Sequence, residues 1–130
     1  LAREGIEDVP EELVAPPSSV AHGKRALPPL LARAPDIDAV FCGSDLLAIG
    51  ALGAARQMGV QVPSQLAICG FGDLEFATET TPQLTTVRVE GTRIGVNAAR
   101  FLLDRLSGET GVSEPRALDV GFTIVARESA

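Results

Sequence analysis

Residues 36–52 read Asp-Ile-Asp-Ala-Val-Phe-Cys-Gly-Ser-Asp-Leu-Leu-Ala-Ile-Gly-Ala-Leu, and this stretch decides the fold. Asp38-Ala39-Val40-Phe41-Cys42 has the length and apolar character of a strand. Ser44-Asp45 then opens a helical pattern that runs from Leu46 to Met58, with Gly59 as its stop and Pro63 shortly beyond. Leu66-Ala67-Ile68-Cys69 is a second apolar run, ending in Gly70-Phe71-Gly72-Asp73. Neither run alternates, which predicts strands covered on both faces of a parallel sheet. Strand, helix and strand in this order make a βαβ unit, whose crossover is right-handed in nearly all proteins.

Outward from this unit the alternation continues. Upstream, Leu13-Val14-Ala15 is a short apolar run, followed by the loop Pro16-Pro17-Ser18-Ser19. A helical pattern spans Val20 to Arg33, with Ser18 or Ser19 as its N-cap. Pro28-Pro29 predicts a kink there, or a second short helix beginning near Pro28, because proline removes a helix hydrogen bond and crowds the preceding turn. Downstream come a strand from Leu84 to Val89, a helix from about Thr92 to Leu106 and a loop over 108–115. Leu118, Val120, Phe122 and Ile124 alternate strictly, so the last strand has one buried face or lies at an edge. The fold class is α/β with a mostly parallel sheet.

Composition narrows the function. With 45% hydrophobic and 22% charged residues, the 130-residue chain is neither disordered nor, lacking any apolar run of about 18 residues, membrane-spanning. Eleven basic against seventeen acidic residues give a net charge of -6, which argues against this segment gripping a phosphate backbone. No Trp, no Tyr and five Phe leave few platforms for stacking bases or sugar rings. Cys42 and Cys69 read as reduced core residues; with one histidine, His22, they are too few for a zinc site. His22 itself reads as a solvated or capping residue, and Lys24-Arg25 as a solvated helix face. The chain begins at Leu1, with no secretory signal visible near it, and is expected to be processed or part of something longer.

In open α/β sheets ligands sit beyond the carboxyl ends of the strands. Three segments qualify: Ala15-Pro16-Pro17-Ser18, Gly43-Ser44-Asp45 and Gly70-Phe71-Gly72-Asp73. The first two also lead into helix N-termini, which suits hydroxyl-rich or anionic small molecules. Each segment also has a plainer reading; Asp45 is expected to be the N-cap of its helix. No third glycine completes a dinucleotide fingerprint, and no nucleophile–base pair or phosphate loop marks an enzyme, so neither a catalytic residue nor a cofactor is assigned. The helix from Leu46 to Met58 is smooth nearly all round, with Ala48, Gly50, Ala51, Gly53, Ala54 and Ala55. Glycines inside helices cost about 1 kcal/mol each against alanine. Close packing must offset this, on the sheet beneath or on a partner subunit meeting Ile49, Leu52 and Gly53.

Taken together, residues 36–52, Gly59 to Pro63, Leu66 to Asp73, Pro82 to Val87 and the ending Gly121 to Ser129 resemble the lactose/galactose repressor family of bacterial transcription regulators. Gly70-Phe71-Gly72-Asp73-Leu74-Glu75 is similar to the branch that regulates use of gluconate and related sugar acids. The resemblance implies a type I periplasmic-binding-protein-like core of two α/β subdomains, an effector in the cleft between them, and an N-terminal helix-turn-helix whose operator affinity the effector controls. This chain would be the C-terminal part of that core, without the helix-turn-helix, with Leu1 falling inside a helix. Residues 1–88 and 117–130 would belong to the second subdomain, and 89–116 would pack in the first. The helix from Thr92 to Leu106, lacking its usual neighbours, is therefore expected to swap, repack or fray.

By position, the resemblance assigns effector contacts to Ser18, Ser44, Phe71, Gly72 and Asp73. Gly72 departs from the family, which usually has an aspartate there that accepts sugar hydroxyls; Asp73 is not assumed to replace it. A missing carboxylate fits a ligand that carries its own, because like charges in one cleft repel, and the basic residue receiving it is expected upstream of Leu1. Dimerisation is expected through Ser19 to Lys24, Ile49, Leu52, Gly53 and Phe76 to Thr81, Thr80 included. The implied protein is a cytoplasmic homodimeric repressor that takes a sugar-acid or sugar effector and meets operator DNA only through the missing domain. The alternative is a sugar-binding protein of a transport system with the same fold.

Overall fold

In the computed structural model, which describes residues 9–107 and 117–130, Ser19 starts the first helix, α1 (Val20–Arg33), by accepting the His22 N–H at 3.1 Å. The helix runs on through Pro28 and Pro29 without splitting. Both prolines face solvent while Leu27 and Leu30 are buried, so the lost backbone bonds fall on the wet side and packing keeps the helix whole. The expectation of a second helix at Pro28 is thus corrected.

β1 (Ala39–Phe41), α2 (Asp45–Met58) and β2 (Ala67–Phe71) form the expected βαβ unit. Gly59 ends α2 in the left-handed conformation at φ 74°, donating to the carbonyls of Ala55 and Arg56. A short 3-10 turn, Glu75–Thr78, leads to β3 (Thr85–Arg88); α3 (Gly91–Ser107) and β4 (Thr123–Val125) follow. The sheet order is β1-β2-β3-β4, parallel as far as β3 and antiparallel at β4. β4 is therefore an edge strand, one of the two expected outcomes. Its apolar set is not buried, however: Phe122 and Ile124 are exposed.

Leu27, Ala48, Ala51, Leu52, Leu66, Ile68 and Leu84 make the core, where α2 lies on β2 and α1 packs along α2. Gly23 and Gly50 permit that helix crossing. A Cβ on Gly23 would land on the Leu47 carbonyl oxygen, and one on Gly50 on the Val20 carbonyl oxygen. The glycine of the smooth helix thus meets α1, where the sequence reading had offered the sheet or a partner. The other face of the strands is open among the described residues, with Ala39 and Phe41 exposed on β1. Continuous apolar runs did not here mean cover on both faces.

α3 is continuous from Gly91 to Ser107 and buries none of its residues. It is continuous and does not repack on the body of its own chain; the third expected outcome, exchange with a second copy, lies beyond a single chain. The loop expected over 108–115 and the helix expected around Leu1 lie outside the described residues. No strand forms at Leu13 to Ala15.

Candidate functional site

The carboxyl ends of β1, β2 and β3 and the N-terminus of α2 share one edge of the sheet, and the polar groups there are linked by a compact network. Ser44 is the N-cap of α2, its hydroxyl accepting the Leu47 N–H at 3.3 Å. Asp45, expected in that role, does something else. It is 0% exposed; Thr86 donates its hydroxyl to Oδ1 at 2.5 Å, and the Leu74 N–H donates to Oδ2 at 2.6 Å. The carboxylate fits because Gly70 has no side chain where it lies. Asp45 therefore ties the start of α2 to β3 and to the loop after β2.

The same Thr86 oxygen accepts the Asp73 N–H at 3.4 Å, joining a second carboxylate to the network. Asp73 stands at φ 54° and sits between two guanidinium groups: Arg88 Nε donates to Oδ2 at 2.6 Å, and Arg127 Nη2 donates to Oδ1 at 2.7 Å. Burial alone would raise the pKa of this carboxyl. The hydrogen bonds and charges of Arg127 and Arg88 outweigh it and hold Asp73 below the usual carboxylate range. Arg127 also donates to the Leu84 carbonyl at 2.7 Å. Two residues on, the buried Ser129 hydroxyl donates to the Ile68 carbonyl at 2.6 Å and accepts the Thr85 N–H at 2.9 Å. The chain end thus stitches β2 to β3 beneath the site.

The structure brings Asp45, Gly70, Gly72, Asp73 and Thr86 together. Gly72 donates its N–H to the Val87 carbonyl at 2.8 Å, and Phe71 is partly exposed at the end of β2. Ser18 is exposed in the loop before α1, and no hydrogen bond among the described residues joins it to this network. His22 closes that loop, Nδ1 lying 3.0 Å from the Pro17 carbonyl oxygen. Arg88, Arg127, Thr86 and Ser129 were missed by sequence reasoning. Their only signal was position: two threonines and an arginine at the end of a strand, and a polar chain end after an apolar strand.

Cys42 and Cys69 are free. Burial, with smaller contributions from Cys69 and Asp45, pushes the Cys42 thiol up to about 12. Burial and then Asp45 raise Cys69. Both are neutral packing groups at neutral pH. Among the described residues no three His, Cys, Asp or Glu side chains cluster as a metal site would require. A cavity of about 500 Å³ lies between residues 9–14, α1 and β1 and reaches Gly43 and Leu47 beside Ser44; its lining is mostly apolar, with Leu13, Leu30 and Phe41, and includes Glu11 and Glu12.

Of the residues expected at a partner surface, Leu52 is 7% exposed and packs in the chain's own core. Ile49 is half-buried, and a side chain at Gly53 would meet open space. Phe76 is exposed, while Thr80 donates its hydroxyl to the carbonyls of Ala77 and Pro82.

A family model described as the periplasmic binding protein-like domain matches residues 1–130. Over 130 residues the sequence is 42% identical to the HTH-type transcriptional regulator GntR of Pseudomonas aeruginosa, covering 99% of this chain and 37% of that protein. The solved structure of transcription regulator GntR from Chromobacterium violaceum superimposes with a TM-score of 0.79 at 44% identity, over 98% of this chain and 47% of that one. A transcriptional regulator CelR–cellobiose complex gives 0.78 at 38% identity, over 86% of this chain and 34% of that one. The chain therefore spans little more than a third of the curated relative.

Proposed function

The chain belongs to the periplasmic binding protein-like domain family, and from that premise we propose that it is the effector-sensing and dimerisation core of a DNA-binding transcriptional repressor. Its effector is a sugar acid of the gluconate type. One observation carries the choice of ligand: neither carboxylate at the strand ends is free. Asp45 is buried and doubly bonded, Asp73 lies between two arginines, and position 72 is a glycine. A ligand bearing its own carboxylate meets Asp73 already paired with two guanidinium groups, and a neutral sugar finds no free carboxylate to accept its hydroxyls. Phe71, Gly72 and Ser44 border the same edge. Asp73 contributes through its arginines, and Ser18 from the loop before α1.

The relatives are transcription regulators and not enzymes. Operator DNA is met by a domain outside these 130 residues, and the protein works in the cytoplasm. No helix among the described residues is long and apolar enough to cross a membrane. A second copy docks on Ile49, Gly53, Phe76 and Thr80, with Leu52 supporting them from within. Sedimentation of full-length Phe76→Glu is expected to show a weakened dimer, and an unchanged dimer would remove this surface. For the ligand, calorimetric titration of the full-length protein with gluconate and with glucose decides. Gluconate is expected to bind roughly tenfold or more tightly, the worth of one good charged hydrogen bond; preference for glucose would sink the reading.

A further inference from the structure

We infer that Arg88 is the residue that receives the effector's anionic group, while Arg127 keeps Asp73 in place. The inference rests on the sugar-acid reading above and says which side chain in this chain does the recognition. Two guanidinium groups meet one carboxylate in the Asp73–Arg88–Arg127 cluster, while Asp45, the other carboxylate of the network, is buried and bonded to Thr86 and Leu74, so Arg88 is the cation on the exposed side.

The two arginines are not equivalent. Arg127 has a side chain 13% exposed, and it also bonds the Leu84 carbonyl, so its position is set by the body of the protein. Arg88 is the last residue of β3, its side chain is 49% exposed, and among the described residues that side chain bonds only Asp73 Oδ2, from Nε and Nη2, both at 2.6 Å. Asp73 does not depend on Arg88 for its place. Its N–H lies on Thr86 and its other oxygen on Arg127. The guanidinium of Arg88 is half-exposed and screened by water, and Asp73 keeps Arg127 when Arg88 turns away. Turning the Arg88 fork to another acceptor therefore costs little.

A carboxylate offers two oxygens to a planar guanidinium and binds it in the bidentate manner that Asp73 Oδ2 alone does not provide. Gly72 presents no side chain beside the pair: a Cβ there would make only ordinary contacts, with Asp45 Oδ2 at 3.7 Å and Leu74 Cγ at 3.9 Å, and the Gly72 N–H is bonded to Val87, the residue before Arg88, which sets the bare backbone next to the arginine. A phosphate monoester presents the same anionic chemistry, so the experiment must separate the two sources.

Full-length wild type, Arg88→Gln and Arg88→Lys are titrated calorimetrically with gluconate, glucose and glucose 6-phosphate, and melting curves check that each variant folds. Arg88→Gln is expected to weaken gluconate roughly 10- to 100-fold and to erase its advantage over glucose. Arg88→Lys is expected to recover part of the loss, since charge survives without the fork. If wild type binds gluconate and Arg88→Gln binds it equally well, the arginine assignment is overturned and the sugar-acid reading stands. If glucose 6-phosphate replaces gluconate as the ligand and Arg88→Gln weakens it, the assignment stands and the sugar-acid reading falls. A wild type that prefers glucose, or binds none of the three, overturns both.

Discussion

α2 and α3 are both uninterrupted helices with apolar residues at helical spacing, yet one is half swallowed and the other is bare. α2 buries Ala48, Ala51, Leu52, Ala54 and Ala55 against α1 and β2; α3 buries nothing and exposes Ile94, Leu102, Leu103 and Leu106. The difference lies in what each helix meets. α2 is capped by Ser44, stopped by Gly59 and locked at its start by Asp45, and it returns directly onto the strand that follows it. α3 leaves the sheet after Arg88 and comes back only at Thr123. Helical periodicity specifies a face, and only tertiary contact specifies its partner.

The sharpest way to break this comparison is at the α1–α2 crossing. Gly50→Val places atoms on the Val20 carbonyl and the Lys24 amide, backbone that cannot move without moving α1. A loss of about 3 kcal/mol or more is expected in urea melts. A loss under about 1 kcal/mol would mean the crossing is loose and α2 is held no better than α3. Next in size is Asp45. Asp45→Ala leaves the Leu74 N–H and the Thr86 hydroxyl without their acceptor, at an expected cost of about 3 kcal/mol. Asp45→Asn should cost only about 1 kcal/mol. Its oxygen keeps Leu74, and the Thr86 hydroxyl can turn to accept from the amide. Equal losses for the two variants would show that charge, and not hydrogen bonding, matters at this site.

Asp45 also marks where sequence reasoning stopped. Residues 36–59 disclosed β1, α2 and the turn after it because every signal was local: an apolar run, a serine and an aspartate at a helix start, a glycine at its end. The N-cap preference accepts Ser44 or Asp45 equally. What separates them is Thr86 and Leu74, 41 and 29 residues away. The Arg127–Asp73 pair is 54 residues apart and equally invisible. Pro28-Pro29 misled for the opposite reason. The local rule was sound, but the prolines fall on the exposed side of a helix whose other side is pinned by Leu27 and Leu30. The alternation from Leu118 to Ile124 announced an edge strand, but only Thr123–Val125 pairs, Leu118, Val120 and Phe122 lie before it, and Leu118, Phe122 and Ile124 stay uncovered.

A smaller effect sharpens the same contrast through pH. Asp73 joins β4's trailing segment to the body through Arg127, and its folded pKa lies below the ordinary carboxylate value. Its contribution is therefore complete above an unfolded pKa near 4 and is lost as pH falls through the lower folded value. Asp73→Asn should flatten the acid limb of the stability–pH curve below about pH 4 and leave its shape at neutral pH unchanged. An acid limb identical to wild type would show that Arg127 does not anchor the chain end through Asp73.

The smallest expected effect tests α3 itself. In the 130-residue chain, Leu102→Gln with Leu106→Gln should change stability by no more than about 0.5 kcal/mol, since both side chains already face water and glutamine favours helix as well as leucine does. The same pair in the full-length protein, measured by melting temperature, separates two causes of the bare face. If the rest of the protein covers α3, burying two glutamines where leucines belong should cost several kcal/mol, while the 130-residue chain stays indifferent. If both proteins are indifferent, α3 is a solvated helix whose apolar stripe has no structural partner. A large loss in the short chain alone would mean that α3 docks on its own body, and the contrast between the two helices would be wrong.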